Sequence, residues 1–164
     1  MKYLAVCFKG VEDICSKEIK EFVKEVSVKE GAVVFDCSEE EMFKVCYKAQ
    51  CINRVLKLID SFKFKDEKDI LDKVKSVDFS LKGSFCAESM FMDENKKIKG
   101  LSQEVGEVIF EKYKNKVEFK NPDKKIVVYV CDKEFYVGEG ASFDLSKRGY
   151  KLFTYGRDIK GNIA

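Results

Sequence analysis

The first sixty residues change hydrophobic period four times, and that alternation is the strongest constraint on the fold of this chain. Tyr3 to Phe8 is a short, nearly continuous apolar run, as a strand buried on both faces requires, and Gly10 ends it. Val11, Ile14, Cys15, Ile19, Phe22 and Val23 then recur at helical spacing, with Lys and Glu on the other face. Val26-Ser27-Val28 and Ala32 to Phe35 flank Lys29-Glu30-Gly31, a hairpin signal with glycine in the turn. Ser38 with Glu41 forms a capping box, which predicts a second helix with Met42, Phe43, Cys46 and Ala49 inward. Arg54 to Ile59 supplies a fourth strand. The order βαββαβ is the ferredoxin-like unit.

Lys63 to Lys68 is a charged interruption and marks the expected boundary, giving an N-terminal domain over 1–64. Asp66 caps a predicted helix with Ile70, Leu71, Val74 and Val77 inward. A strand over 84–92 and an exposed turn over 93–97 lead to a long helix, 101–113, whose inner face carries Leu101, Val105, Val108 and Ile109. Pro122, the only proline, stands before two apolar runs, Ile126 to Val130 and Phe135 to Val137, joined as a hairpin. A third extended segment is expected after them, ending in Asp144-Leu145-Ser146-Lys147-Arg148-Gly149-Tyr150. The whole is α+β, in two small domains.

Hydrophobic residues make up 45% of the chain, with 14 Phe and 7 Tyr, which is ample for a buried core. Lys and Arg number 31 against 29 Asp and Glu, so bulk charge neither favours nor opposes nucleic acid, and only local clustering carries information. Seven cysteines, an odd count without regular spacing, argue against a secreted disulfide framework and for reduced thiols in a cytoplasmic protein. No C-x-x-C pair and no histidine is present, which makes zinc a poor fit. No run approaches the ~20 apolar residues of a membrane span.

Lys147, Arg148, Tyr150, Lys151, Tyr155 and Arg157 cluster near the C-terminus, and two of the three arginines are there. Arginine grips phosphate bidentately and tyrosine stacks on unpaired bases, which suits a single-stranded RNA end. On spacing alone, a solvated strand edge that deters aggregation explains the cluster equally well. A second basic group runs from Lys96 to Lys125, where Lys99, Ser102 and Gln103 surround a helix N-terminus. Such a terminus offers unpaired N–H groups and a positive dipole end to phosphate, although an ordinary cap and a solvated face account for it more simply.

Nothing supports catalysis. Without histidine there is no Ser-His or Cys-His arrangement. Glu12-Asp13 and Glu39-Glu40 lie where helices begin and acids are stabilised by the dipole. Gly138-Glu139-Gly140, in an expected turn, neither opens a helix nor reaches a third glycine, so it is not a dinucleotide loop.

Asn121-Pro122-Asp123, two strands, then Asp144 to Tyr150 resembles the C-terminal end of the THUMP domain in THUMP-containing RNA guanine-N2 methyltransferases. Gly10-Val11-Glu12, Asn53-Arg54-Val55-Leu56, and Ser102 with Val105-Gly106-Glu107 look like earlier signposts of that family's N-terminal half. The resemblance implies a ferredoxin-like domain over 1–64, a THUMP RNA-binding domain over 65–155, and at 156–164 the start of a connection to a methyltransferase domain. It implies tRNA or rRNA as partner, gripped at the tRNA acceptor end, with Lys147, Arg148, Tyr150, Lys151, Arg157, Lys99, Ser102, Gln103 and Asn121 as RNA-binding candidates. S-adenosylmethionine is then expected only in the catalytic domain, with no cofactor in this chain. One departure stands out: the strand over 85–92 lacks the basic residues that family members often carry there. The alternative is a protein-interaction module that docks a separate RNA-modifying enzyme.

Overall fold

A computed structural model describes residues 1–146. These residues divide into two compact units, Met1–Lys57 together with 141–146, and Leu58–Gly140.

The first unit contains β1 (Lys2–Cys7), α1 (Glu12–Lys20), β2 (Glu25–Lys29), β3 (Ala32–Asp36), α2 (Glu39–Lys48) and the first half of β4 (Ile52–Lys63). Its strands lie in the order β2-β3-β1-β4. β1 is central and antiparallel to both neighbours, with Leu4 opposite Val34 on one side and Leu56 on the other. Its unbroken apolar run matches burial on both faces: Tyr3, Ala5 and Cys7 join the helix-covered core, and Leu4 and Val6 on the opposite face are buried as well. Gly31, at φ +68°, makes the turn between β2 and β3. Tyr3, Ala5, Val33 and Phe35 from the sheet pack with Cys15 and Ile19 of α1 and Met42 and Val45 of α2.

The capping box is present: the Ser38 hydroxyl accepts the Glu41 N–H at 3.2 Å, and a Glu41 carboxylate oxygen accepts the Ser38 N–H at 2.9 Å. That cap sets the phase of α2 so that Met42, Val45 and Ala49 face inward. Phe43, expected inside, is instead 57% exposed, because it sits about 100° around the helix from Met42.

The second unit contains the rest of β4, α3 (Glu67–Ser76), β5 (Phe85–Phe91), a 3-10 turn (Glu94–Lys96), α4 (Leu101–Tyr113), β6 (Lys124–Val130) and β7 (Glu134–Gly140). Strand order here is β4-β7-β6-β5, leaving β5 as an edge strand. β5 and β6 are parallel, so the chain must cross over between them, and α4 is that crossover. Ile70 and Val74 of α3, with Leu101, Val105 and Ile109 of α4, cover Phe85, Ile126, Val128, Phe135 and Val137. Phe62 and Phe64 close the other end against the Phe135 ring. Asp66 caps α3 through the Asp69 N–H at 2.9 Å.

Two expectations are corrected. Gly138, Glu139 and Gly140 lie within β7 and not in a turn, with Gly138 opposite Val127 and Glu139 opposite Ile126. Residues 141–146 form no strand. They turn back onto β4, where the Ala141 N–H reaches Val55 O at 3.0 Å and the Leu145 N–H reaches Asn53 O at 2.7 Å. Leu145 is buried in the core of the first unit. Asn53-Arg54-Val55-Leu56 is thus where the returning chain is seated, which gives that signpost a structural role.

Candidate nucleic-acid interface

The start of α4 brings Lys99, Ser102 and Gln103 into one turn. Gly100 precedes the helix at φ +85°, and its carbonyl accepts the N–H groups of Gln103 at 2.8 Å and Glu104 at 3.0 Å. No side chain caps this end, so the first-turn amides and the positive dipole end form its polar surface. Lys99 and Gln103 are exposed. The Gln103 amide donates to a Glu107 carboxylate oxygen at 3.1 Å, one turn further along.

Ser102 is engaged inward. Its hydroxyl accepts the Ser89 N–H at 2.9 Å and is hydrogen-bonded to the Ser89 hydroxyl at 2.7 Å, tying the first turn of α4 to the edge strand β5. Gly106 lies one turn later, where an added Cβ would sit 3.7 Å from the Ala87 Cβ. Small side chains at both positions leave a depression between helix and strand.

Asn121 is exposed on the connection between α4 and β6. That connection is held to the entrance of β5: the Phe85 N–H donates to Lys116 O and the Glu118 N–H to Phe85 O, each at 2.9 Å. Lys147, Arg148, Tyr150, Lys151 and Arg157 lie outside the described residues.

The spacing of charges does not reveal the groove that this geometry builds. It has a volume of about 590 Å³ and lies along α4, with Ala87 and Gly106 among its lining residues and Phe110, Val117 and Phe119 beside them. Phe110 is 43% exposed and Phe119 81%. The available signal is an aromatic, Phe110, that falls off the Leu101–Val105–Ile109 stripe, followed by the apolar alternation Val117-Glu118-Phe119 among lysines.

Cysteines contribute no site. None of the seven cysteines is in a disulfide, and among the described residues no group of histidine, cysteine or acid could hold a metal ion. Burial pushes the Cys37 and Cys46 thiols up to about 11, which keeps them protonated and unreactive. Glu12, at the start of α1, is structural as well: its carboxylate accepts the Gly10 N–H at 2.7 Å and the Gly31 N–H at 2.9 Å.

Two helices on a four-stranded antiparallel sheet, followed by a mixed sheet whose parallel pair is bridged by a helix with a polar N-terminal turn, define a ferredoxin-like domain followed by a second α+β domain. Residues 2–56 match the family model of the RlmL ferredoxin-like domain, and residues 64–138 match that of the THUMP domain. The chain belongs to the THUMP-domain proteins that carry an RlmL-type ferredoxin-like domain in front. THUMP domains bind RNA.

No curated protein matches the sequence. Among solved structures, a predicted N6-adenine-specific DNA methylase from Listeria monocytogenes is similar over 99% of this chain and 46% of its own, with a TM-score of 0.73 and 20% identity. TrmN from Thermus thermophilus is similar over 90% of this chain and 48% of its own, with a TM-score of 0.64 and 20% identity. A possible methylase from Clostridium difficile is similar over 92% and 44%, with a TM-score of 0.69 and 20% identity. At that identity the likeness is one of fold. The chain spans less than half the length of each of these three relatives.

Proposed function

We propose that this chain is the RNA-binding portion of a cytoplasmic, S-adenosylmethionine-dependent RNA guanine-N2 methyltransferase, and that it holds the acceptor end of tRNA. The observation that carries the reading is the pair of domain matches in series, 2–56 and 64–138, on a fold shared with methylases about twice as long. The methyl donor belongs to a catalytic domain outside these residues, and no side chain named here is assigned to it. Among the described residues no helix is long and apolar enough to cross a membrane.

In this reading the THUMP domain delivers its substrate. Lys99, the amides at the start of α4 and Asn121 meet phosphates, joined by Lys147, Arg148, Tyr150, Lys151 and Arg157. Ser102 contributes by holding that turn against β5. The ferredoxin-like domain sets the spacing to the catalytic pocket, which the target base reaches only after leaving its stack.

Fluorescence anisotropy with tRNA and with tRNA lacking its 3′ end tests the proposal. Binding should fall steeply with salt as counterions compete for phosphate, and should weaken without the 3′ end. Arg148→Ala should weaken binding by about 1.5–3 kcal/mol, the range for a hydrogen bond to a charged group. Equal affinity for both RNAs overturns the acceptor-end assignment. The chain alone with labelled methyl donor and tRNA should transfer no methyl group. One observation favours a second reading, docking of a separate RNA-modifying enzyme: Tyr47 and Phe43 of α2 are 79% and 57% exposed, a pair one turn apart. Absence of RNA binding at low salt would support it.

A further inference from the structure

Phe119 is the most exposed large apolar side chain among the described residues, yet its backbone is not loose. The preceding residues are pinned to the edge of β5 through the Lys116 carbonyl and the Glu118 N–H, and Val117 forms a parallel bridge with Phe85. An aromatic ring held in water by a fixed backbone opposes the hydrophobic effect, so a fold that maintains one has a use for it. Phe110 also lines the groove, from α4, and the Lys114 ammonium stands 5.4 Å from its ring centroid. Lys114 itself is held at φ +56°, the residue that ends α4.

The groove's lining is mostly apolar, with Ser102, Gln103 and Glu107 as its polar members. Its volume of about 590 Å³ falls within the range of small-ligand clefts. Gln103 and Glu107 are hydrogen-bonded to each other at 3.1 Å, an amide and a carboxylate whose further donor and acceptor capacity suits the edge of a heterocycle. The carboxylate repels phosphate from the interior. Outside, charge runs the other way, with nine lysines against five acids over residues 96–125. Lys116 is paired with Glu118 at 3.5 Å, but an ion pair this exposed exchanges readily for phosphate.

We infer that this groove receives one unpaired base of a single-stranded RNA end, stacked against Phe119 and Phe110, with the flanking phosphates on Lys114, Lys116 and Lys120. The assignment rests on the RNA-binding reading and adds a base-holding site to it. An apolar peptide would cover the aromatic rings but bring no anion to the excess of lysines around them, and for that reason RNA is the better occupant.

The test uses the whole chain and a fluorescein-labelled single-stranded RNA hexamer. Loss of a stacking ring should weaken affinity about tenfold in Phe119→Ala, while Phe119→Trp should keep it. The chain has no tryptophan, so Phe119→Trp also places a single reporter in the groove, and its emission should be quenched by the bound base. Ile14→Ala, an exposed apolar position on α1 in the first unit, should bind like the parent. If Phe119→Ala matches the parent while the parent binds tRNA with steep salt dependence, the groove assignment is overturned and RNA binding stands. If no RNA binds at low salt, both fall. If Phe119→Ala leaves RNA affinity unchanged but alters sedimentation, the groove is a protein contact and the inference is overturned.

Discussion

The Asp123 carboxylate accepts both the backbone N–H and the hydroxyl of Ser84 at 2.7 Å, across 39 residues of sequence. The Ser84 oxygen in turn accepts the Asp123 N–H at 3.1 Å. This reciprocal clamp fastens the start of β6 to the start of β5, the two strands whose parallel pairing forms the edge of the second unit. It also gives Asn121-Pro122-Asp123 a structural meaning: Pro122 presets the approach, and Asp123 locks it.

Breaking the clamp should loosen this edge. Gly83 beside it has φ +81°, and a Cβ there would lie 2.4 Å from an Asp123 carboxylate oxygen. Gly83→Ala should therefore destabilise by at least about 1–2 kcal/mol, the cost of left-handed backbone in a residue with a side chain, with the steric clash added. Asp123→Ala should lower the thermal midpoint in the same direction. Thermal melts followed by circular dichroism measure both.

Ser102→Ala removes the acceptor for the Ser89 N–H on a half-buried strand. The loss should be about 1–3 kcal/mol of stability, the penalty for a donor left unpaired. Urea titration reports it. An unchanged midpoint would free the Ser102 hydroxyl for a direct role at phosphate.

Gly106→Leu should act through shape. The helix approaches Ala87 so closely that a Cβ alone is accommodated at 3.7 Å, and a longer side chain must push α4 from β5 or fill the groove. Strain of this kind is commonly about 1–3 kcal/mol. Denaturation gives the stability change, and RNA affinity should fall with it.

Acid should release Glu12. Burial alone would raise its pKa, but the N–H groups of Gly31 and Gly10 and the Lys9 ammonium outweigh burial and hold it below the ordinary value of 4.5. A folded pKa below the unfolded one means the stabilisation is present above 4.5 and is lost as pH falls through the lower, folded value. Glu12→Gln should accordingly lose less stability than the parent between neutral pH and that acid range. Urea midpoints across pH check the sign.

Cys37 and Cys46 should resist alkylation in the native state. With Cys37 and Cys46 at about 11, few of these thiols are ionised near neutrality. Iodoacetamide labelling read by mass spectrometry should stay slow until denaturant is added.

Element order was readable in advance because periodicity reports which face of each element is apolar. The helix over 101–113, the Ser38–Glu41 cap and the glycine turn at Gly31 all follow from local chemistry. Phase errors entered where two apolar residues adjoin, as at Met42 and Phe43, since neighbours 100° apart on a helix compete for one core. The segment after β7 misled for another reason: Leu145 suits a strand, but its place in the core of the first unit was taken by a turn.

The sequence by itself determined the two-domain α+β succession and the concentration of lysines around α4, because both depend on residues near one another in the chain. Tertiary structure alone decided that Phe110 and Phe119 share a groove with Ala87, and that Ser84 meets Asp123. Those neighbours are brought together by the parallel crossover from β5 to β6. Strand pairing of that kind is selected by the packing of the whole sheet, and no local pattern records it.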